Sequence, residues 1–289
     1  MFFSNISIGT APRFWTMVAL AAVVALGLGA CQGEGEGFQA QVAAAEEAND
    51  YTTVIALWRT RADSGDTAAI LEIAALYETG PEAIQDFSLA AESYAQAVDL
   101  GNATAMVRLG ELYERGQGVD RDVEQARLLY AQAVELGDPE GFYRSGRLLF
   151  NTNSARRAIV TEKAIEQYEM AAEMGLMDAQ VELANHFFSG FRVPKDSERA
   201  VKWYQVAAEH GHPGAQFRLG FMLSLGIGVA KDEIAAYAWV RLAAAQGLST
   251  AIETLGDLGA GLDPDGLAAA QALSLEYWDL YVAPFQSGD

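Results

Sequence analysis

A recurring spacing of 36 residues constrains the fold of this chain more than any other feature of its sequence. Glycines that close similar segments recur along most of its length, at Gly65, Gly101, Gly137, Gly175, Gly211 and Gly247. Their separations are 36, 36, 38, 36 and 36 residues. Tyrosines keep the same register, at Tyr94, Tyr130, Tyr168 and Tyr204. Such a period predicts that one supersecondary unit is built several times along the chain.

The unit at residues 105–141 shows what each repeat is expected to form. Its first half spaces Leu109 and Leu112 along one helical face, and its second half spaces Tyr130 and Ala133 along another. Two short amphipathic helices therefore result. No unit can bury its apolar face alone, so the core is expected to form by stacking of neighbouring units.

The segment between these two helices carries signals for a tight turn and a new helix start. Gly116 and Gly118 allow the positive φ angles that a tight reversal needs. Asp122 follows at the N-cap position, with Gln125 three residues later completing a capping box. The aspartate recurs in three other units, as Asp86, Asp196 and Asp232.

Three segments resemble the Sel-one-like repeat (SLR) family, whose members are relatives of the tetratricopeptide repeat (TPR). They are residues 109–122 (LGELYERGQGVDRD), 200–211 (AVKWYQVAAEHG) and 235–247 (AAYAWVRLAAAQG). The resemblance implies five repeats over residues 69–250. It also implies an all-α fold, an α/α solenoid of stacked antiparallel helix pairs wound as a right-handed superhelix.

The chain departs from the repeat pattern on either side. Residues 38–68 resemble a shorter, degenerate TPR-like unit. Residues 251–289 are expected to form a partial repeat and a C-terminal capping helix, which Asp263 and Pro264 would open as N-cap and first-turn proline and Pro284 would end.

One internal unit, at residues 141–175, lacks both the glycine turn and the capping aspartate and is two residues longer. Its irregular stretch, residues 150–161, has two interpretations. It is either a partner-specific loop presenting Arg156 and Arg157, or a surface loop that has drifted because such loops tolerate insertion.

The first 30 residues are typical of an export signal, because Arg13 precedes an uninterrupted run of apolar or small residues. The run ends in LGAC at residues 28–31, which resembles the bacterial lipobox and implies cleavage before Cys31 and acylation there. Cys31 is the only cysteine, so it has no intramolecular disulfide partner. We predict a lipoprotein signal peptide at residues 1–30 and lipidation of Cys31. An uncleaved signal anchor and plain secretion are the alternatives.

Residues 31–37, rich in glycine and glutamate, are predicted to be a short tether. By resemblance to enteric lipoproteins, the absence of Asp after the cysteine, where Gln32 stands, points to the outer membrane. We therefore expect a lipid-anchored protein of the bacterial envelope that faces the periplasm.

The charge of the chain excludes some partners. It carries 39 Asp and Glu against 19 Lys and Arg, a net charge of −20. The negative electrostatic field of such a chain repels phosphate backbones and anionic headgroups. Nucleic acid is therefore an unfavourable partner, and membrane attachment must come from the lipid on Cys31. A basic partner and a merely solvated acidic surface both fit this charge.

The sequence offers no pattern for catalysis or for a cofactor. His210 and His212 flank Gly211, but nothing at ligand spacing supplies further metal ligands. Gly116-x-Gly118 resembles a phosphate loop fragment without the following Gly-Lys-Ser/Thr. We predict a protein that is not an enzyme and has no metal or cofactor.

A partner-binding groove is the functional site that the resemblance implies. In the tetratricopeptide fold the first helix of each unit lines the concave side, and its third and seventh positions are expected to lie outside the core. In the second repeat these are Val107 and Glu111. In the later repeats most of these positions are aromatic or polar, and Phe188 lies close to them in the sequence. The predicted groove residues are Tyr143, Arg147, Asn185, Phe188, Phe217 and Phe221. Aromatic and arginine side chains are typical binding hot spots, although some of these rings would pack between units instead.

These expectations combine into one leading function and two alternatives. The first is a non-catalytic scaffold or adaptor lipoprotein that binds other envelope proteins or peptides. The second is an SLR protein that binds or hydrolyses cell-wall material or β-lactams, which the absence of paired cysteines in each repeat disfavours. The third is a host-directed surface factor, which differs only in the side that the anchor faces.

Overall fold

The computed structural model describes residues 32–151 and 157–286, and the regular secondary structure of both ranges is helical. Cys31, and residues 152–156 of the irregular stretch at 150–161, lie outside the described residues. The helices are α1 Gln32–Glu47, α2 Tyr51–Ala62, α3 Thr67–Thr79, α4 Phe87–Asp99, α5 Ala103–Arg115, α6 Val123–Glu135, α7 Pro139–Asn151, α8 Arg157–Glu173, α9 Met177–Ser189, α10 Ser197–Glu209, α11 Pro213–Leu225, α12 Glu233–Ala245, α13 Ser249–Ala260, α14 Pro264–Tyr281 and α15 Ala283–Gln286.

The chain divides into two compact units, Met1–Val54 and Ile55–Asp289, with the boundary inside α2. In the first unit, α1 buries Val42 and Ala45. This helix begins at Gln32 and so includes most of the residues for which the sequence predicts a tether.

In the second unit, ten consecutive helices form five pairs: α3 with α4, α5 with α6, α7 with α8, α9 with α10, and α11 with α12. Each pair also packs against the next one along the chain. The predicted all-α architecture of stacked helix pairs is confirmed. The buried tyrosines Tyr94, Tyr130, Tyr168 and Tyr204 fill equivalent places in this core.

In the pairs that begin with α5 and α11, the helices approach closely because the first helix carries a glycine. A Cβ added to Gly110 would lie 2.6 Å from the Cε1 of Tyr130, and one added to Gly220 would lie 2.6 Å from the Cγ2 of Val240. The aromatic or branched side chain of the second helix therefore occupies the space that a larger residue at the glycine would need.

Between units, the turns after α5 and α11 approach the starts of the preceding second helices, α4 and α10. Gly118 has a φ of +72°, and a Cβ there would lie 2.1 Å from the carbonyl carbon of Phe87, at the start of α4. The hydroxyl of Ser88 donates to the Gly118 carbonyl at 3.2 Å. Gly228 repeats the approach, with a φ of +70° and the Ser197 carbonyl oxygen 2.3 Å from its added Cβ. These glycines are thus part of the contact that stacks one unit on the next.

The predicted N-caps are confirmed in four second helices, where an aspartate accepts backbone N–H groups of the first turn: Asp86, Asp122, Asp196 and Asp232. The exception is α8, which begins at Arg157, one turn earlier than its relatives. Position 160, where the others have aspartate, is valine, so this helix continues through the place where a cap would start it.

The C-terminal helix α14 packs against α12, and the tilted rings of Trp239 and Tyr277, whose centroids are 4.6 Å apart, contribute to this contact. Asp263 caps α14 as predicted by accepting the Gly266 N–H at 2.7 Å. The prediction that Pro284 ends this helix is wrong. The helix ends at Tyr281, and Pro284 lies inside the short α15, because proline fits the first turn of a new helix.

Candidate protein-binding face

Among the first helices of the units, α5 contacts α7 directly, and Arg218 of α11 lies beside the Phe188 ring of α9. We call the surface formed by the outward residues of α5, α7, α9 and α11 the first-helix face. It contains all six predicted groove residues. One half is formed by α5 and α7 and the other by α9 and α11, and the two halves differ in whether their cations pair with carboxylates.

In the half formed by α5 and α7, three guanidinium groups surround the carboxylate of Glu111. This carboxylate is only 2% exposed, and it lies 3.2 Å from Arg108 Nη1 and 2.6 Å from Arg144 Nη2. Arg115 lies 3.9 Å away. The expectation that Val107 and Glu111 lie outside the core is wrong, because both are 2% exposed. A buried carboxylate is tolerated here because several guanidinium groups surround it.

Arg147, a predicted groove residue, forms a separate ion pair between the same two helices. Its Nη2 donates to Glu114 Oε2 at 3.0 Å, and the same oxygen accepts the Tyr130 hydroxyl at 3.0 Å. Burial and the Glu114 charge raise the pKa of Tyr130, which keeps its hydroxyl a donor. Arg147 therefore has an intramolecular carboxylate partner that links α7 to α5.

Tyr143 is half-buried and lies at the junction between the two halves. Its ring centroid is 5.8 Å from that of Tyr168, and the Arg144 guanidinium lies 5.5 Å from its ring. Burial raises the pKa of Tyr143, and the carboxylates of Asp178 and Glu182 raise it further. Tyr143 thus contributes both to the core and to the surface.

Tyr204 contacts both Asn185 and Phe188 of α9. The Tyr204 hydroxyl donates to Asn185 Oδ1 at 2.6 Å, and the Phe188 ring meets the Tyr204 ring edge-on at 6.4 Å. Burial raises the pKa of Tyr204 to about 12. In the first two units the equivalent tyrosine donates to a glutamate, as Tyr94 does to Glu78 at 2.7 Å.

Two cations flank the Phe188 ring. Lys195 Nζ lies 5.7 Å and Arg218 Cζ 5.9 Å from its centroid, distances at which a cation is attracted to an aromatic face. Both side chains are exposed. The sequence did not single them out, because a lysine in a turn and an arginine on a helix surface look like ordinary solvated residues.

Phe217 and Phe221 are half-buried and pack against different clusters. Phe217 packs against a group containing Val240, Ala243 and Ala251, whereas Phe221 packs against the larger core cluster of the third to fifth pairs. Each ring thus shares its surface between core and solvent.

A second aromatic cluster, missed by the sequence analysis, lies where α7 ends and α9 turns toward α10. His186 is 7% exposed, and its ring centroid is 3.9 Å from that of Phe150. Its Nε2 lies 3.6 Å from Glu182 and has no hydrogen-bond partner among the described residues. Burial and the charge of Arg192 lower the pKa of His186 to about 4, so this imidazole is neutral near pH 7.

Arg192 takes a left-handed conformation in this cluster, with a φ of 65°. Gly118 and Gly228 occupy the equivalent positions in other units, so a backbone angle that suits glycine is here held by arginine. Its guanidinium lies 5.3 Å from the Phe150 ring and 5.4 Å from the exposed Phe191 ring. The replacement of the second turn glycine by arginine is the sequence signal that could have revealed this cluster.

The two turn histidines have structural surroundings. His212 is the N-cap of α11, and its Nδ1 accepts the Ala215 N–H at 3.0 Å. His210 Nδ1 lies 2.8 Å from the Val206 carbonyl oxygen. Across residues 32–151 and 157–286, no group of three or more His, Cys, Asp or Glu residues is arranged to hold a metal ion. In the same ranges, no helix has the length and apolar character needed to cross a bilayer.

The stacked helix pairs define a helical-repeat protein, and comparison with protein families narrows the class. The Sel1 repeat family matches five segments: residues 67–102, 103–138, 157–176, 178–212 and 213–248. These segments make up more than half of the chain, which therefore belongs to the Sel1 repeat family. Proteins built from Sel1 repeats generally mediate protein–protein interactions.

The solved structure of a Sel1 repeat protein shows the same fold. A Sel1 repeat protein from Oxalobacter formigenes is similar at 25% sequence identity with a TM-score of 0.60, over 82% of this chain and 96% of that one. A protective antigen of uropathogenic Escherichia coli with an SLR fold has 22% identity and a TM-score of 0.42, over 89% and 72% of the two chains. An immunity protein from Pseudomonas aeruginosa has 25% identity and a TM-score of 0.46, over 76% and 83%. A search of the curated proteins found no match.

Proposed function

We propose that this protein is a non-catalytic adaptor of the bacterial envelope, held to the outer membrane by a lipid on Cys31 and facing the periplasm. Its first-helix face binds segments of other envelope proteins. The observation that carries the binding role is membership of the Sel1 repeat family over five segments. Stacked first helices supply a continuous surface on which an extended partner segment can contact several units at once.

The residues of α9 and α11 support this role over a purely structural one. Phe188, Phe217 and Phe221 are half-buried, so each keeps part of its ring available to a partner. Lys195 and Arg218 lie exposed beside Phe188. Aromatic and arginine side chains in partly enclosed surroundings supply most of the energy of protein interfaces.

The lipid anchor rests on the sequence before Gln32. With a net charge of −20, the protein gains no attraction to anionic lipids, so the anchor has to be apolar. Each buried methylene of an acyl chain contributes about 0.8 kcal/mol, and two or more chains hold a protein stably.

The binding role is tested by chemical crosslinking in intact envelopes followed by affinity purification. One or a few envelope proteins should be recovered reproducibly. Hydrogen exchange on the reconstituted complex should then slow in α7, α9 and α11 relative to α6, α8 and α10. Failure to recover a partner, or protection confined to the second helices, would contradict the proposal.

The anchor is tested separately by Cys31→Ser. This variant should lose incorporation of labelled palmitate and either appear in the soluble fraction or remain at the size of the unprocessed chain. A variant of mature size that stays in the membrane would show that Cys31 is not the anchor.

A further inference from the structure

The two halves of the first-helix face treat their cations differently. On α5 and α7 the guanidinium groups of Arg108, Arg144 and Arg147 all lie close to carboxylates. The two cations beside Phe188 are arranged differently. In the part of the chain that the structure describes, neither Lys195 nor Arg218 has a carboxylate oxygen within 4.0 Å.

This difference does not come from a shortage of carboxylates. The chain has 39 acidic residues for 19 basic ones, so most cations could be paired internally. Lys195 and Arg218 instead come from consecutive units and converge on one aromatic ring. Two like charges at one ring repel each other, and an anion between them would relieve that repulsion.

Asn185 adds a hydrogen-bond donor to the same place. Its Oδ1 accepts the Tyr204 hydroxyl, which orients the amide, and within the described residues its NH₂ group has no acceptor. Asn185 and Phe188 lie three residues apart on α9 and therefore share a helical face. The arrangement combines two cations, an oriented amide donor and an aromatic surface.

We infer that Asn185, Phe188, Lys195 and Arg218 form a subsite, the Phe188 subsite, for an Asp or Glu side chain within an extended partner segment. The carboxylate accepts hydrogen bonds from Arg218, Lys195 and the Asn185 amide, and an apolar neighbour in the segment covers Phe188. This inference rests on the proposed adaptor function and names the chemistry of its partner.

The acidic character of the whole protein does not prevent such binding. Charges on other faces are screened beyond about 8 Å at physiological ionic strength, so the nearest groups decide the local preference. Glu182 on α9 is a carboxylate close enough to raise the pKa of Tyr204, the tyrosine whose hydroxyl donates to Asn185. Removing the Glu182 charge should strengthen the binding of a carboxylate ligand, whereas removing the cations should weaken it.

The test selects short random peptides displayed on phage against the full-length protein. Enriched peptides are synthesised, together with versions in which each Asp or Glu is replaced by its amide, and their Kd values are measured. The variants are Lys195→Gln/Arg218→Gln and Glu182→Gln. The control, Arg127→Gln/Lys231→Gln, removes two exposed cations that pair with Glu124 and Glu233, so the net charge changes equally.

The expected peptides carry an acidic residue beside a large apolar one. The amide replacement and the Lys195→Gln/Arg218→Gln variant should each weaken binding about tenfold, with no further loss when combined, because both remove the same interaction. Glu182→Gln should strengthen binding, and the control variant should leave the Kd essentially unchanged.

Three results would overturn the inference: no enriched peptide, enriched peptides without acidic preference, or acidic peptides that bind the Lys195→Gln/Arg218→Gln variant as well as the unmodified protein. The adaptor proposal fails separately, when crosslinking recovers no envelope partner. A recovered partner combined with peptides that ignore the two cations would leave the adaptor role standing without this subsite.

Discussion

Replacing Gly118 with alanine tests whether the glycine turns hold the units together. Gly118 and Gly137 have nearly the same φ, +72° and +75°, so alanine suffers similar backbone strain at both. That strain is about 1–2 kcal/mol. The surroundings differ, because a Cβ at Gly137 meets nothing within 4 Å, whereas one at Gly118 would lie 2.1 Å from the Phe87 carbonyl group.

The additional cost at Gly118 comes from displacing the turn from the start of α4. Forcing an extra carbon into a packed contact costs about 1–3 kcal/mol, and the Ser88 hydrogen bond to the Gly118 carbonyl would be disturbed as well. Gly118→Ala should therefore destabilise the protein by about 2–5 kcal/mol, against about 1–2 kcal/mol for Gly137→Ala. Gly228→Ala should behave like Gly118→Ala, because Ser197 lies as close to it.

Urea unfolding followed by circular dichroism measures the difference. Because repeat proteins can unfold in parts, midpoints should be compared only where the slopes of the transitions agree. Equal midpoints for Gly118→Ala and Gly137→Ala would refute the argument, because the close contact at Gly118 would then add nothing to the loss of unfolding free energy.

Three further predictions concern side chains of the first-helix face and its core. Glu111→Gln should cost about 2–4 kcal/mol of stability in urea unfolding, because it removes the buried carboxylate that Arg108 and Arg144 share and leaves Arg144 with Glu140 alone. The exposed Glu124→Gln should change stability by less than about 1 kcal/mol. Because the folded pKa of His186 is lowered to about 4, the unfolded chain binds the proton more tightly, and stability should fall as pH drops from the unfolded pKa of 6.5 toward 4. At about pH 5 the loss should be roughly 2 kcal/mol, and it should be absent from His186→Asn; a pH profile identical in both proteins would contradict this assignment. Phe221→Ala should cost about 2 kcal/mol in thermal melts, less than the roughly 3–5 kcal/mol of a fully buried ring, and a larger loss would place the ring in the core rather than in the groove.

Periodic features of the fold could be predicted because each has a local cause. The turn glycines Gly116 and Gly118 adopt the predicted positive φ angles, and the N-cap role of Asp122 depends on residues within one helical turn. The earlier start of α8 follows equally locally from the loss of an aspartate at position 160. The start of α8 could therefore have been inferred by comparing position 160 with the capping aspartates of the other units.

Side-chain partners across units could not be predicted in the same way. Glu111 looks like a surface residue in its own helix, and its burial becomes intelligible only when Arg144, one unit later, reaches it. Arg147 looked free for the same reason, although it pairs with Glu114. The position of Arg218 beside Phe188 likewise depends on how two units stack.

The central claim is that partners bind the first-helix face, and site-specific photocrosslinking in living cells tests it most directly. A photoreactive amino acid is placed at Glu182 on α9 and, as the control, at Leu128 on α6; the side chain of Glu182 is 42% exposed and Leu128 is 46% exposed. We predict a discrete crosslinked product from position 182 and none from position 128. Crosslinking from position 128 alone would contradict the account, because the partner would then bind the second helices.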